Sequence, residues 1–71
     1  MNTSEIARLQ RYLRDKFSTD RIVIQPRKEV SDSVEVLLGG EFIGLIYKDD
    51  DEGEVSYDLN MAILDMDLPA A

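Results

Sequence analysis

The amino-acid sequence predicts the α+β class, with one N-terminal helix packed on a four-stranded antiparallel meander sheet of strand order 1-2-3-4. Three observations carry this prediction. Apolar residues recur with a helical period over residues 4–17, and the period changes to two from residue 22 onward. Between two of the alternating runs stands Gly39-Gly40, a two-residue link that is typical of a tight hairpin turn. A length of 71 residues indicates one small domain, 1–71.

The helix is predicted over residues 4–17. Four apolar residues share one of its faces: Ile6, Leu9, Leu13 and Phe17. Asn2, Thr3 or Ser4 can supply the N-cap, because short polar side chains satisfy the free N–H groups of a first turn. With Asn2 as the cap, Glu5 stands at the position that completes a capping box.

The other face of the helix is basic. Arg8 and Arg11 fall outside the apolar stripe, and Tyr12 lies at the edge of the polar face. We expect a solvated surface here. The alternative is a docking surface for an acidic partner, with Tyr12 as its anchor.

Four strands are expected, over residues 22–27, 33–38, 41–48 and 54–64, followed by a C-terminal tail, 65–71. Pro26 has no N–H to donate to a ladder of hydrogen bonds, so the first strand is expected at an edge of the sheet or to end there.

The hairpins also predict the register of the sheet. With Gly39-Gly40 as the turn, Val36 faces Ile43, and with Lys48 opposite Glu54 the next pairing sets Ile43 against Leu59. Both pairings place the same third-strand residues on one face. The predicted core face is Val34, Val36, Ile43, Leu45, Tyr47, Val55, Tyr57, Leu59 and Met61, extended by Ile22 and Ile24.

The acidic stretch KDDDEGE, residues 48–54, is predicted to be a hairpin loop in which Gly53 takes a left-handed conformation. A cross-strand pair of Lys48 and Glu54 would close this loop. The calcium-loop pattern fails in every register, so the remaining alternative is weak binding of a divalent cation.

The second face of the sheet is expected to carry Leu37, Phe42 and Ile46 as an apolar patch. Three interpretations of this patch are open. It is ordinary surface, it is covered by the C-terminal tail, or it is a contact for another protein. The alternation in the last strand changes phase at Leu64 and Met66, which indicates a bulge or a bend. The segment 63–68 therefore extends the sheet, folds back over Phe42, or reaches a neighbouring chain to form a homodimer.

The composition excludes several chemistries. The chain has no Cys and no His, so it lacks disulfides and the usual ligands of zinc, haem and iron–sulfur clusters. No base is present to activate a serine in the usual way, and no phosphate-binding glycine motif appears. We expect no catalytic residue, no cofactor and no metal, and therefore no enzyme.

The N-terminus has charges throughout and no apolar signal-peptide region, and no apolar run approaches the length of a bilayer span. The expected location is the cytoplasm, with no membrane partner. The net charge of −7 is divided unevenly, with +4 on residues 1–28 and −11 on residues 29–71. The acidic half argues against nucleic acid, which needs a basic surface.

Three stretches, SEIARLQRYLRDKF, GGEFIGLIYKDDDEGEVSY and NMAILDMDL, together resemble a family of small uncharacterised alphaproteobacterial proteins catalogued as a domain of unknown function. The resemblance extends over nearly the whole chain. It implies a bacterial, cytosolic, stand-alone domain, and it implies no activity.

The leading expectation is a small acidic protein-interaction domain that binds itself or another protein. The alternative is an electrostatic binder whose acidic side engages a basic surface, as an inhibitor or a nucleic-acid mimic does. The candidate partner-binding residues are Leu37, Phe42, Ile46, Leu64, Met66, Arg8, Arg11 and Tyr12.

Overall fold

One helix and four antiparallel strands make up the computed structural model, which describes all residues 1–71. The helix α1 spans Thr3–Lys16. The strands are β1 (Ile22–Arg27), β2 (Val30–Leu38), β3 (Glu41–Asp49) and β4 (Ser56–Asn60), in the sheet order β1-β2-β3-β4. A single 3₁₀ turn at Asp51–Gly53 connects β3 to β4, and a second one at Asp65–Asp67 lies after β4. The predicted architecture is confirmed, with β1 at an edge.

Asn2 caps α1. Its side chain accepts the backbone N–H of Glu5, and the Glu5 side chain accepts the backbone N–H of Asn2, so both halves of a capping box are present. The helix ends at Lys16, one residue earlier than expected. Phe17 is therefore the C-cap, and it is more than half exposed instead of completing the apolar stripe.

The core lies between α1 and one face of the sheet. Its buried members are Leu13, Ile22, Ile24, Val34, Val36 and Ile46. Met1, Ile6, Leu9, Ile43 and Tyr57 pack against them from the edges. The predicted contributions of Ile6, Leu9 and Leu13 on the helix are thus confirmed, whereas that of Phe17 is wrong. Ile22 and Ile24 of β1 extend the core as predicted. No helix in the structure has the length and apolar character needed to cross a bilayer.

A β-bulge at Ile43 corrects the predicted register. The hairpin begins as expected, with Leu37 opposite Phe42 across Gly39-Gly40, and both glycines have positive φ. Beyond that pair, Val36 faces Gly44 and not Ile43, because Ile43 is the extra residue on the longer strand.

The bulge exchanges the two faces of β3. Ile46 pairs with Val34 and is only 2% exposed, so its predicted place on the open face is wrong. Leu45 and Tyr47, predicted for the core, take the outer face instead, and Tyr47 is exposed. A one-residue insertion has this effect because successive side chains along a strand point to opposite faces.

The pairing of β3 with β4 also differs from the prediction. Lys48 faces Tyr57 and not Glu54, so the predicted pair that closes the loop is wrong. The strand β4 begins later and ends at Asn60, four residues short of the expected end. Val55 and Met61 therefore lie outside it, and both are more than half exposed.

Gly44 explains where β4 ends. A Cβ atom at this position would lie 2.4 Å from the carbonyl oxygen of Asn60 and 3.3 Å from the Cα atom of Met61. The chain leaving β4 thus passes directly over the Gly44 backbone. Only glycine permits so close an approach, and the crossing takes the C-terminal segment out of the plane of the sheet.

Candidate functional site

A groove lies between α1 and β4. The helix packs mainly against β1, at the far edge of the sheet, so the sheet surface beside β4 is only partly covered. The groove has a volume of about 480 Å³. Its lining residues are Glu5, Arg8, Leu9, Tyr12, Leu13, Ile46, Tyr57 and Leu59.

The lining of the groove is largely apolar and open to water. Ile46 and Leu13 belong to the buried core, while Tyr12 on the helix and Leu59 on β4 are 59% and 41% exposed. Arg8 is an exposed cation on the helical side. A concave, mostly apolar surface with a small number of polar and charged groups is the usual form of a binding site.

A polar cluster of Glu5, Lys48 and Tyr57 stands where the first turn of α1 meets the groove. Glu5 Oε2 accepts a hydrogen bond from the Tyr57 hydroxyl at 2.7 Å and pairs with Lys48 Nζ at 2.6 Å. Its other oxygen, Oε1, accepts the backbone N–H of Asn2 at 3.1 Å. One carboxylate therefore joins the cap of the helix to two neighbouring strands.

Contacts within the cluster shift the pKa of all three of its members. The ammonium of Lys48, the hydroxyl of Tyr57 and the N–H of Asn2 together lower the pKa of Glu5 from 4.5 to about 2. The same contact with Glu5 raises the pKa of Lys48 and the pKa of Tyr57. At neutral pH the carboxylate is ionised, the amine is charged and the phenol is protonated.

These protonation states are those of an ion pair and a hydrogen bond that connect α1 to the sheet. A general acid or base works best when its pKa lies near the working pH. Each of these three shifts moves the pKa of the group further from 7. At this end of the groove the carboxylate of Glu5 is already paired with Lys48 and hydrogen-bonded to Tyr57.

The sequence-predicted helix residues separate into two surfaces. Arg8 and Tyr12 lie together in the groove. Arg11 lies with Arg14, Asp15 and Asp20 on a different, polar surface at the side of α1 and the turn after it, so Arg11 does not join Arg8 and Tyr12. The sequence placed Tyr12 at the edge of the polar face but did not indicate Leu59 or Tyr57 as its neighbours.

The outer face of the sheet keeps two of its three predicted residues. Leu37 and Phe42 are paired there, and Phe42 is 54% exposed, so the tail does not cover it. Leu45 takes the place predicted for Ile46. This face is a second apolar surface, separated from the groove by the thickness of the sheet.

The C-terminal segment, Met61–Leu68, does not extend β4. Its backbone hydrogen bonds are internal, from Asp67 N–H to the Leu64 carbonyl and from Leu68 N–H to the Asp65 carbonyl. Five large apolar side chains on it are more than half exposed: Met61, Ile63, Leu64, Met66 and Leu68. Of the predicted arrangements, strand extension and folding back are thus not observed.

The acidic loop is a turn. Asp49 Oδ1 accepts the Asp51 N–H at 3.0 Å, and Gly53 has a φ of +79°, as predicted. Glu52, immediately before it, also has a positive φ of 62°. No group of three or more acidic side chains in the structure is arranged to hold a metal ion.

Comparison with known proteins gives a family and no activity. No curated protein and no solved structure matches the chain significantly. Residues 5–67 match the profile of a family described as Protein of unknown function (DUF3126). The match includes the polar cluster, every residue of the groove and most of the C-terminal segment, and the chain therefore belongs to this family.

Proposed function

We propose that this domain is a non-enzymatic protein-binding module whose binding surface is the groove between α1 and β4. The observation that carries the proposal is the exposure of apolar side chains on both sides of that groove. Tyr12 and Leu59 remain open to water although they adjoin the core. Apolar groups left exposed around a concavity are typical of a site that a partner covers.

The polar cluster supports a binding role over a catalytic one. Its three members form a closed set of contacts, with the pKa of Glu5 lowered and the pKa values of Lys48 and Tyr57 raised. Groups fixed in this way neither give nor take protons near neutral pH. They hold the groove in one shape, and preorganisation lowers the free-energy cost of binding.

The groove is a better candidate than the outer face around Phe42. Its volume of about 480 Å³ exceeds the 380 Å³ of the depression beside Phe42, and an inserted side chain would meet Leu13 and Ile46 of the core. It also has a cation, Arg8, beside an aromatic residue, Tyr12. Arginine and tyrosine are enriched among the residues that contribute most to protein interfaces.

The test is photo-crosslinking in the cells that produce the protein. A photoreactive amino acid replaces Tyr12 in the groove, and in a matched chain it replaces Arg11, one residue away on the other surface. We expect discrete protein adducts from position 12 that disappear when Leu59→Asp is added. Equal adducts from both positions, or none from position 12, would contradict a binding role for the groove.

The acidic loop is the basis of a second candidate function, the binding of a basic surface. The carboxylates of Asp49–Glu54 lie on exposed residues of a turn, and the nearby Lys48 pairs with Glu5 instead of neutralising them. A photoreactive residue at position 52, irradiated in a cell lysate at low and at high salt, tests this candidate. Adducts of electrostatic origin should disappear at about 1 M salt, where the screening length is about 3 Å, while adducts from the apolar groove should persist.

A further inference from the structure

We infer that the occupant of the groove is the C-terminal segment, Met61–Leu68, of a second copy of the same chain, exchanged reciprocally between the two copies. This inference rests on the proposed function, because it names the partner of the same groove. It assigns a role to the segment that the fold of a single chain leaves without one.

In the single chain, the groove is open to water and the apolar side chains of the segment are uncovered. Met66 is 85% exposed, and no backbone hydrogen bond joins the segment to the rest of the chain. The molecule measures 44 × 24 × 23 Å, so one dimension is nearly twice the others. A free segment with five large apolar residues needs a surface to bury them, and the groove is an apolar surface that needs cover.

The charges of the two surfaces are complementary. In the segment, Asp65 and Asp67 alternate with apolar residues. Beside the groove stands Arg8, and Lys16 lies one turn beyond Tyr12 on the same side of α1. A docked segment can therefore bury its apolar side chains while its carboxylates remain at the basic rim, which favours this orientation.

The length of the C-terminal segment also matches the length of α1, along which the groove runs. A helix of 14 residues is about 21 Å long at a rise of about 1.5 Å per residue. Eight residues extend for at most about 26 Å, and the 3₁₀ turn at Asp65–Asp67 shortens that reach toward the length of the helix.

The exposure of the segment favours a second copy over the chain's own groove. Its large apolar side chains stay more than half exposed in the single chain, and after the crossing at Gly44 no backbone hydrogen bond returns the segment to the body. A reciprocal exchange fills two grooves with two segments. The resulting two-fold dimer is closed, so it does not grow into a filament.

Sedimentation equilibrium over a wide concentration range is the first test. We expect the wild type to form a dimer, Met66→Asp in the segment to give a folded monomer, and Phe42→Asp on the outer face to remain a dimer. A monomeric wild type would overturn the exchange. A dimer that only Phe42→Asp dissociates would overturn it as well and would assign self-association to the outer face.

A mixed-disulfide experiment tests the geometry, because the natural chain has no Cys. Chains with Arg8→Cys and chains with Asp65→Cys are mixed in equal amounts, allowed to exchange, and oxidised. Exchange predicts that disulfide-linked dimers of one chain of each kind greatly outnumber dimers of either kind alone. A statistical mixture would overturn it, as would an internal disulfide in a single chain that carries both substitutions.

The crosslinking at Tyr12 separates this inference from the proposed function. Adducts of twice the mass of the chain support both. Adducts of another mass, together with a monomeric wild type, retain the binding function and overturn the exchange. The absence of all adducts overturns the function.

Discussion

At the scale of single residues, Glu5 connects more of the molecule than any other charged group. Its backbone N–H takes part in the cap of α1, its Oε1 completes the capping box, and its Oε2 binds Lys48 and Tyr57. Tyr57 lies 52 positions further along the chain. One carboxylate therefore fixes the start of the helix to the far side of the sheet, beside the groove.

The substitution Glu5→Gln should lower the melting temperature at neutral pH. Glutamine keeps the capping box but loses the charge that Lys48 binds. Because folding lowers the pKa of Glu5 to about 2, its stabilisation is complete above the unfolded value near 4.5 and is lost as the pH falls through that range. Thermal unfolding at a series of pH values should show the difference between variant and wild type shrinking below pH 4.5.

Glu54→Gln is the matched control, since Glu54 lies on the exposed loop. Its stability should follow that of the wild type at every pH. If Glu5→Gln also follows the wild type in parallel down to low pH, the ion pair in the cluster contributes no stability.

Gly44→Ala should destabilise the fold by about 1–3 kcal/mol, the usual cost of placing an added methyl group in a filled site. The added Cβ would meet the Asn60 carbonyl oxygen at 2.4 Å, so the chain after β4 must move. Denaturant unfolding measures the cost, and amide resonances of Asn60 and Met61 should shift most. An unchanged midpoint with unshifted resonances would show that the segment does not cross the sheet at this glycine.

At the scale of elements, the bulge in β3 decides which side chains form the core. It turns Gly44, Ile46 and Lys48 toward α1, so that Lys48 reaches Glu5 and the chain can cross at Gly44. Without the extra residue at Ile43, these three positions would face the outer side of the sheet, and neither the polar cluster nor the crossing would form.

The neighbouring residues Ile46 and Leu45 provide a matched test of the bulge. Ile46→Ala removes buried methyl groups from the core and should lower the free energy of unfolding by about 2–5 kcal/mol. Leu45→Ala, on the outer face, should cost clearly less. The regular hairpin without a bulge reverses the order, so a larger loss for Leu45→Ala in chemical denaturation would contradict the observed register.

Local signals in the sequence were enough for the helix, its cap, the glycine turn and the strand order. The bulge could not be predicted, because β3 has apolar residues on both faces: Phe42, Ile43, Leu45 and Ile46 satisfy either register. The two predicted hairpins agree with each other only because both treat β3 as a regular strand. Their agreement therefore does not test for a bulge. Contacts of the site such as Glu5 with Tyr57 join distant parts of the chain and have no local signal.

In the whole molecule, the basic first part of the sequence and the acidic second part form different surfaces. Seven of the eight basic residues precede residue 29 and lie on α1, β1 and their connections, while the acidic residues concentrate on the later strands, the loop and the C-terminal segment. In the proposed exchange, the acidic segment of one copy meets the basic side of α1 of the other. Charge complementarity of this kind sets orientation and speeds association.

In the proposed dimer, the groove of each copy binds the C-terminal segment of the other. The most direct measurement is a dilution series of the isotopically labelled wild type, followed by amide NMR. Reciprocal exchange predicts that the amide resonances of Tyr12, Leu59 and Met66 shift together with one concentration dependence, while those of Phe42 and Leu45 stay constant. Shifts confined to the outer face, or none at any concentration, would contradict it.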